Sequence, residues 1–194
     1  TKSLYEAFDQ HSSKKITTFH VYGPYGAPFE CTEETNTIML FGAGVGITPF
    51  ASIMKELKQK QNEKQLHLKR VYIVWVSKSQ KQFSWLTETL KEIETQSFLF
   101  DINCYVTAPM KLHDVEKFLT KSALSWNYSA KEDCLVTANG TKMHFSRPKI
   151  AALMQSVADS CDLGNRVGVY FSGPRPLRKV LRQECDKHRN KFTF

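Results

Sequence analysis

Gly42-Ala43-Gly44-Val45-Gly46-Ile47-Thr48-Pro49 separates an unbroken apolar run, Thr37-Ile38-Met39-Leu40-Phe41, from a segment in which Phe50, Ile53, Met54 and Leu57 recur at helical spacing. A continuous apolar run of that length suits a strand buried on both faces. Pro49 fits a first helical turn, where a missing N–H is no loss. The pattern predicts strand, glycine loop and helix in immediate succession, the helix running from Pro49 to about Lys60. Such a strand needs helices on both sides of its sheet, which points to an α/β architecture.

The rest of the chain keeps that rhythm. Arg70 to Val76 reads as a second strand, followed by the turn Ser77-Lys78-Ser79-Gln80 and a helix from Phe83 to about Gln96 with Phe83, Leu86, Leu90 and Ile93 inward. A third strand runs from Phe100 to Thr107 and ends at Ala108-Pro109. From 109 to 147 the rhythm breaks, with a helix around Val115 to Leu124, the aromatics Trp126 and Tyr128, and Asp133-Cys134-Leu135-Val136; this reads as an insertion. A helix from Lys149 to about Ser160, a strand from Arg166 to Phe171, the turn Ser172-Gly173-Pro174, a basic helix from Leu177 to Lys187 and a strand near Lys191 complete the chain. The expected fold is a Rossmann-like parallel sheet with right-handed crossovers, helices on both faces and ligands at the carboxyl ends of the strands. Residues 37–194 form that domain. Residues 1–36, with the turn-rich Tyr22-Gly23-Pro24-Tyr25-Gly26-Ala27-Pro28, read as the end of a preceding module and a linker.

With 194 residues there is room for one substantial core, and 41% hydrophobic, 12% aromatic and 24% charged residues describe a globular chain. The longest apolar runs, such as Val71 to Val76, fall short of the roughly 18 residues a membrane helix needs. A start at Thr1 without a secretory leader suggests a piece of a longer protein. Five dispersed cysteines without a C-x-x-C pair disfavour a zinc site and a disulfide framework, and indicate a reducing, cytosolic setting. The net charge of +8 raises nucleic acid as a partner. The lysines are dispersed, however, and Lys55, Lys58, Lys60 and Lys64 fit a helix's solvated face and C-terminal turn. Binding of phosphorylated cofactors near anionic lipid accounts for the same charge without nucleic acid.

A glycine loop between strand and helix lets backbone N–H groups approach a pyrophosphate at the positive end of the helix dipole. Gly42, Gly44, Val45, Gly46, Ile47, Thr48 and Pro49 occupy that position. No Lys follows the glycines, so this is not an ATP-hydrolysing phosphate loop. A plain tight turn is the competing reading, and the next strand argues against it. Dinucleotide folds selective for NAD carry an acid about 20 positions on, whereas a cation there accommodates the 2′-phosphate of NADP. No acid occurs from Arg70 through Thr87, and the strand ends in Ser77-Lys78, a hydroxyl and a cation suited to phosphate. NADPH is therefore favoured over NADH. Lys81 reads as a solvated loop lysine. Arg147-Pro148, just before a helix, offers a guanidinium fork beside a helix dipole. Thr107, at the end of the third strand, and Ser172-Gly173-Pro174, at the end of a later one, stand where an edge ligand is read, although the latter also serves as a helix-initiating turn. The six histidines are dispersed without metal-ligand spacing, and no G-x-S-x-G elbow is present.

Gly23-Pro24-Tyr25-Gly26, then Gly42 through Ile53, then Phe145-Ser146-Arg147-Pro148, then Ser172-Gly173-Pro174, in that order, resemble the dehydrogenase region of the NADPH oxidases. Ile73-Val74-Trp75-Val76-Ser77-Lys78-Ser79-Gln80-Lys81-Gln82-Phe83-Ser84-Trp85-Leu86 is similar to the matching stretch of dual oxidases, and the likeness covers about residues 20 to 194. The resemblance implies a domain of the ferredoxin-NADP reductase type on the cytosolic side of an integral membrane protein. There NADPH delivers hydride to FAD, and electrons pass through haems to oxygen, giving superoxide or hydrogen peroxide. Carried over by position, Gly44, Gly46, Thr48 and Pro49 hold the pyrophosphate, Ser77, Lys78 and Arg147 the 2′-phosphate end, and Ser172, Gly173 and Pro174 the nicotinamide side. The family's Cys-Gly-Pro is here Ser172-Gly173-Pro174, so the residue placed to set the nicotinamide is a serine. The family's terminal aromatic follows Asn, whereas this chain stops at Lys191-Phe192-Thr193-Phe194. The Arg-x-Tyr-[Ser/Thr] signature of the FAD barrel is not found, Arg70 being the first arginine, so FAD and haem are expected on other parts of a parent chain. A ferric-chelate reductase of the same superfamily and a regulatory module built on the 109–147 segment are the competing readings.

Overall fold

The computed structural model describes Tyr22 and residues 35–64, 67–79, 82–83, 99–108, 113, 126–138, 140–161 and 166–194. The chain divides into two units, Thr1–Glu30 and Cys31–Phe194, and every element named below belongs to the second. Most of the expected N-terminal linker, Lys81, the body of the helix beginning at Phe83 and the helix around Val115 lie outside the described residues.

Strand β1, Thr37–Ala43, leads through a 3-10 turn at Gly44–Ile47 into helix α1, Thr48–Asn62, with Pro49 in its first turn. Strands β2, Arg70–Ser77, and β3, Phe100–Val106, follow. Short strands β4, Trp126–Ser129, β5, Cys134–Thr137, and β6, Lys142–His144, come next. Helix α2, Ile150–Ser160, strand β7, Val167–Ser172, helix α3, Arg175–Lys187, and strand β8, Phe192–Thr193, complete the described elements. These strands form one eight-stranded sheet in the order β4-β5-β6-β3-β2-β1-β7-β8.

Six of the strands run parallel, as β1 pairs with β2 and β7, β2 with β3, β3 with β6, and β7 with β8. The parallel sheet read from the sequence is thus its centre, and an antiparallel arm of β4, β5 and β6 makes the whole sheet mixed. The 109–147 segment supplies that arm. Its strands are three or four residues long, too short for an alternating pattern to be read from sequence. A tight turn closes β5 onto β6, with Thr137 N–H donating to the Thr141 carbonyl at 2.9 Å and Thr141 N–H to Thr137 Oγ1 at 3.0 Å.

The apolar run in β1 is buried on both faces, and Ile38, Met39, Leu40 and Phe41 are without exposure. Met39 and Phe41 join Tyr72, Val74, Val167 and Val169 in a cluster sealed by Met154 and Val157 of α2 and Leu181 and Cys185 of α3. Alternation turns Ile38 and Leu40 to the opposite face. Helix α1, whose buried Phe50, Met54 and Leu57 stand outside that cluster, covers this second face. At roughly 1.5–3 kcal/mol per fully buried large apolar side chain, this two-faced core dominates the stability of the sheet. It fixes the carboxyl edge as the rigid frame on which the loops sit.

Candidate functional site

The strand order reverses at β1. The chain steps from β1 to β2 and β3 on one side, then returns to place β7 on the other. In open α/β sheets ligands bind at such a switch point, outside the carboxyl ends of the strands. Here the last β1–β7 partners are Gly42 and Ser172, so the glycine loop and the Ser172-Gly173-Pro174 turn leave the sheet side by side.

Two glycines make that junction possible. Gly44 has a φ of +57°, a left-handed conformation that a Cβ disfavours. Gly46 approaches β7 so closely that a Cβ there would lie 2.2 Å from the Ser172 carbonyl oxygen and 3.1 Å from its hydroxyl. Around Gly44 a Cβ would meet no atom within 4 Å, and Val45 is 82% exposed. The loop backbone is therefore open to a ligand on one side while seated on β7 on the other. Thr48 Oγ1 donates to the Val45 carbonyl at 2.7 Å, closing the turn. From below, Trp75 Nε1–H donates to the Gly44 carbonyl at 3.1 Å, and the Trp75 ring packs edge-on against Phe83 with centroids 4.3 Å apart.

Two openings lie at this edge. The first, of about 320 Å³, is lined by Gly44, Val45, Thr48 and Gln82. The second, of about 410 Å³, is lined by Val76, Thr107, Arg147, Pro148, Ile150, Pro176, Leu177 and Val180. Apolar walls that include a guanidinium suit a flat ring system that carries phosphate. Helices α1, α2 and α3 all begin at or beside these openings, and none has an acidic residue in its first turn. The positive ends of three helix dipoles are thus left uncompensated by acids of their own first turns.

All the expected site residues except Ser77 fall into three groups. Gly44, Val45 and Thr48 line the first opening, and Thr107, Arg147 and Pro148 the second. Gly42, Gly46, Ile47 and Ser172 form the packed junction beneath, where Ile47 is buried and a Cβ on Gly42 would strike its side chain. Pro49, Lys78, Gly173 and Pro174 are exposed at the same edge and line neither opening. Ser77 differs from what its hydroxyl suggested. It is buried, and its proton is shared between the Ser79 carbonyl at 3.0 Å and Gln82 Oε1, while Ser79 N–H donates to Ser77 Oγ at 3.2 Å. Thr107 is likewise engaged, its Oγ1 donating to the Ser77 carbonyl at 3.0 Å. Trp75 and Gln82, which support and line the loop, are not among the residues expected at the site. Both lie inside motifs quoted for their resemblance, but nothing in spacing distinguishes a tryptophan that holds a loop from one that fills a core.

A family model described as "Ferric reductase NAD binding domain" matches residues 35–186. The chain is 31% identical over 179 residues to a superoxide-generating NADPH oxidase heavy chain of Dictyostelium discoideum, an alignment covering 87% of this chain and 24% of that protein. It is 25% identical over 187 residues to dual oxidase 1 of Homo sapiens, covering 95% of this chain and 12% of the relative. With dual oxidase 2 of Homo sapiens it shares 28% identity over 166 residues, covering 84% of this chain and 11% of the relative. The chain thus spans about a quarter or less of the length of these relatives.

Proposed function

The chain belongs to the ferric reductase NAD binding domain family, and on that premise we propose that it is the NADPH-binding domain of a transmembrane NADPH oxidase. In this reading residues 37–194 bind the nucleotide, residues 1–36 end an FAD-binding barrel and its linker, and FAD and haem reside in other parts of the same parent protein. The domain lies on the cytosolic side of the membrane; among the described residues no helix is long and apolar enough to cross one. The observation that carries the reading is the glycine loop, opened by Gly44 and seated through Gly46 on Ser172, next to a β2 end that presents exposed Lys78 and no acid.

NADPH supplies a hydride from its nicotinamide ring when bound. The chain's own residues position it. Backbone N–H groups of the Gly44–Ile47 turn and the start of α1 face the pyrophosphate. Lys78 and Arg147 are the cations for the 2′-phosphate, and Arg147 with Thr107 and Pro148 bounds the larger opening. Ser77 organises the turn that carries Lys78 instead of reaching the ligand, because its hydroxyl is used within that turn. Ser172, with Gly173 and Pro174, marks the nicotinamide side at the β1–β7 junction.

The test is selectivity. Amide chemical-shift titration of the 194-residue chain should show NADPH binding at least about tenfold tighter than NADH, the order expected of a charge-assisted phosphate contact. Lys78→Ala should remove most of that difference while leaving NADH binding unchanged. Equal affinities in the unaltered chain would sink the 2′-phosphate assignment. The family's own description favours a second reading, the same domain in a ferric-chelate reductase; measuring oxygen against ferric-chelate reduction by the parent protein separates the two. A regulatory subunit or domain docking on the 109–147 segment is an additional proposed role, supported by the way its strands project as an arm at one end of the sheet.

A further inference from the structure

The Ser77–Gln82 hydrogen bond has a chemical consequence at the mouth of the smaller opening. Gln82 lies in a turn held by Gln82 N–H donating to the Ser79 carbonyl at 3.1 Å, and its neighbour Phe83 is buried against Trp75. The backbone at Gln82 is thus anchored on both sides. Its carboxamide oxygen accepts the Ser77 hydroxyl, which leaves the Nε2 amide with two N–H donors and no protein partner among the described residues. Among the described residues, Gln82 is also the one contribution from outside the glycine-loop region to the opening formed with Gly44, Val45 and Thr48.

We infer that Gln82 is a nucleotide-contacting residue whose amide N–H groups, oriented by Ser77, donate to the diphosphate of the dinucleotide at the glycine loop. This rests on the nucleotide-binding reading above and adds to it a side-chain donor from the β2 turn, facing the backbone donors of the loop. It also gives buried Ser77 a role. A serine whose proton is used inside a turn has none left to give a phosphate, and in this arrangement, with Gln82 Oε1 on that hydroxyl, the amide nitrogen is the end left for a ligand. The contact is to the diphosphate and not to the 2′-phosphate, since the opening that Gln82 lines is the one formed by Gly44, Val45 and Thr48. Gln82 therefore contributes equally to NADPH and NADH, whereas Lys78 discriminates between them.

The experiment compares wild type, Gln82→Ala and Gln82→Glu by titration with NADPH and with NADH, alongside thermal unfolding without nucleotide. Gln82 is exposed, so all three chains should unfold at closely similar temperatures. Gln82→Ala should weaken both nucleotides by roughly fivefold, the loss of a charge-assisted hydrogen bond. Gln82→Glu should weaken both by more, about tenfold or greater, because it places a carboxylate where a donor stood. Affinities within about twofold of wild type for both variants overturn the inference while leaving the nucleotide-binding reading intact. A loss confined to NADPH overturns the diphosphate assignment. Failure of the wild-type chain to bind either nucleotide overturns the underlying reading, and this inference with it.

Discussion

A methyl group on Gly46 would meet the Ser172 carbonyl oxygen at 2.2 Å and its carbon at 2.7 Å, both of them backbone atoms at the end of a paired strand. Neither can retreat without disturbing the β1–β7 junction. Gly44 presents the opposite case, with a left-handed φ of +57° and open space where a Cβ would go. Gly44→Ala should therefore cost the backbone penalty alone, about 1–2 kcal/mol. Gly46→Ala should cost more, on the order of 2–4 kcal/mol, because overpacking forces the loop off its seat. Denaturant unfolding of the two variants checks the order, and a smaller loss at Gly46 would show that the loop does not sit on Ser172. From the sequence the glycines were legible as a loop, and Pro49 as the start of a helix. Which glycine serves a dihedral and which a contact was not, because the contact partner lies on a strand far along the chain. Ser77 shows the same limit: a hydroxyl at a strand end reads as a ligand group until the carbonyl and carboxamide that occupy it are seen.

At the scale of elements, the arm of β4, β5 and β6 carries a titrating cluster where β6 joins β3 of the parallel core. His144 on β6 stacks on Tyr105 of β3 with centroids 4.5 Å apart, and its Nε2 lies 3.2 Å from Asn103 Oδ1. Asn103 Nδ2 donates to Asp101 at 2.8 Å, so its oxygen is the free acceptor and His144 Nε2–H the donor. Burial, with the nearby Lys142 ammonium second, lowers the pKa of His144, and Glu132 and Asp133 oppose it less strongly. A histidine whose folded pKa lies below its unfolded value binds protons more readily when unfolded. Stability should consequently fall as pH drops below about 6.5, the unfolded value, and the fall should level off once pH is below the folded pKa. His144→Gln should flatten the slope of unfolding free energy between about pH 7 and pH 5, measured by urea denaturation, and an unchanged slope would show that other groups carry it. The Glu132 carboxylate, held down first by its hydrogen bond from Lys142, acts in a separate, more acidic window, its contribution lost as pH falls through its lowered pKa. The parallel core around this arm was readable from strand-helix alternation. The arm itself was not, since its pairing, β6 on β3 and β5 on β6, is set by long-range register and not by local pattern.

At the scale of the whole molecule, part of the net charge of +8 can be placed at one edge of the sheet. Arg147, Lys149, Arg175, Arg178 and Lys179 are exposed at or beside the N-terminal turns of α2 and α3, the ends that meet the larger opening. Cations there oppose the helix dipole, a cost of roughly 0.3–1 kcal/mol each. Among the described residues, other cations stand in ion pairs, as in Lys60–Glu56, Lys142–Glu132, Lys187–Glu184 and Arg189–Asp186. An arrangement that is unfavourable in the empty protein becomes favourable when a multiply charged anion arrives at the carboxyl edge. Under the proposed nucleotide-binding role, such a field would draw the anion in and the helix ends would hold it. Ionic strength should therefore act on affinity as a function of ligand charge. Between about 50 and 500 mM salt the Debye length falls from above roughly 10 Å to below about 5 Å. NADPH carries an additional charge of about −1.5 to −2 on its 2′-phosphate, and its affinity should drop several-fold more than that of NADH over this range. Replacing Arg175 and Arg178 together by Gln, positions that line neither opening, should reduce the salt dependence for NADPH while changing high-salt affinity little. A high-salt affinity that collapses instead would make these arginines direct contacts, and an unchanged salt dependence would place the attracting charge elsewhere on the domain.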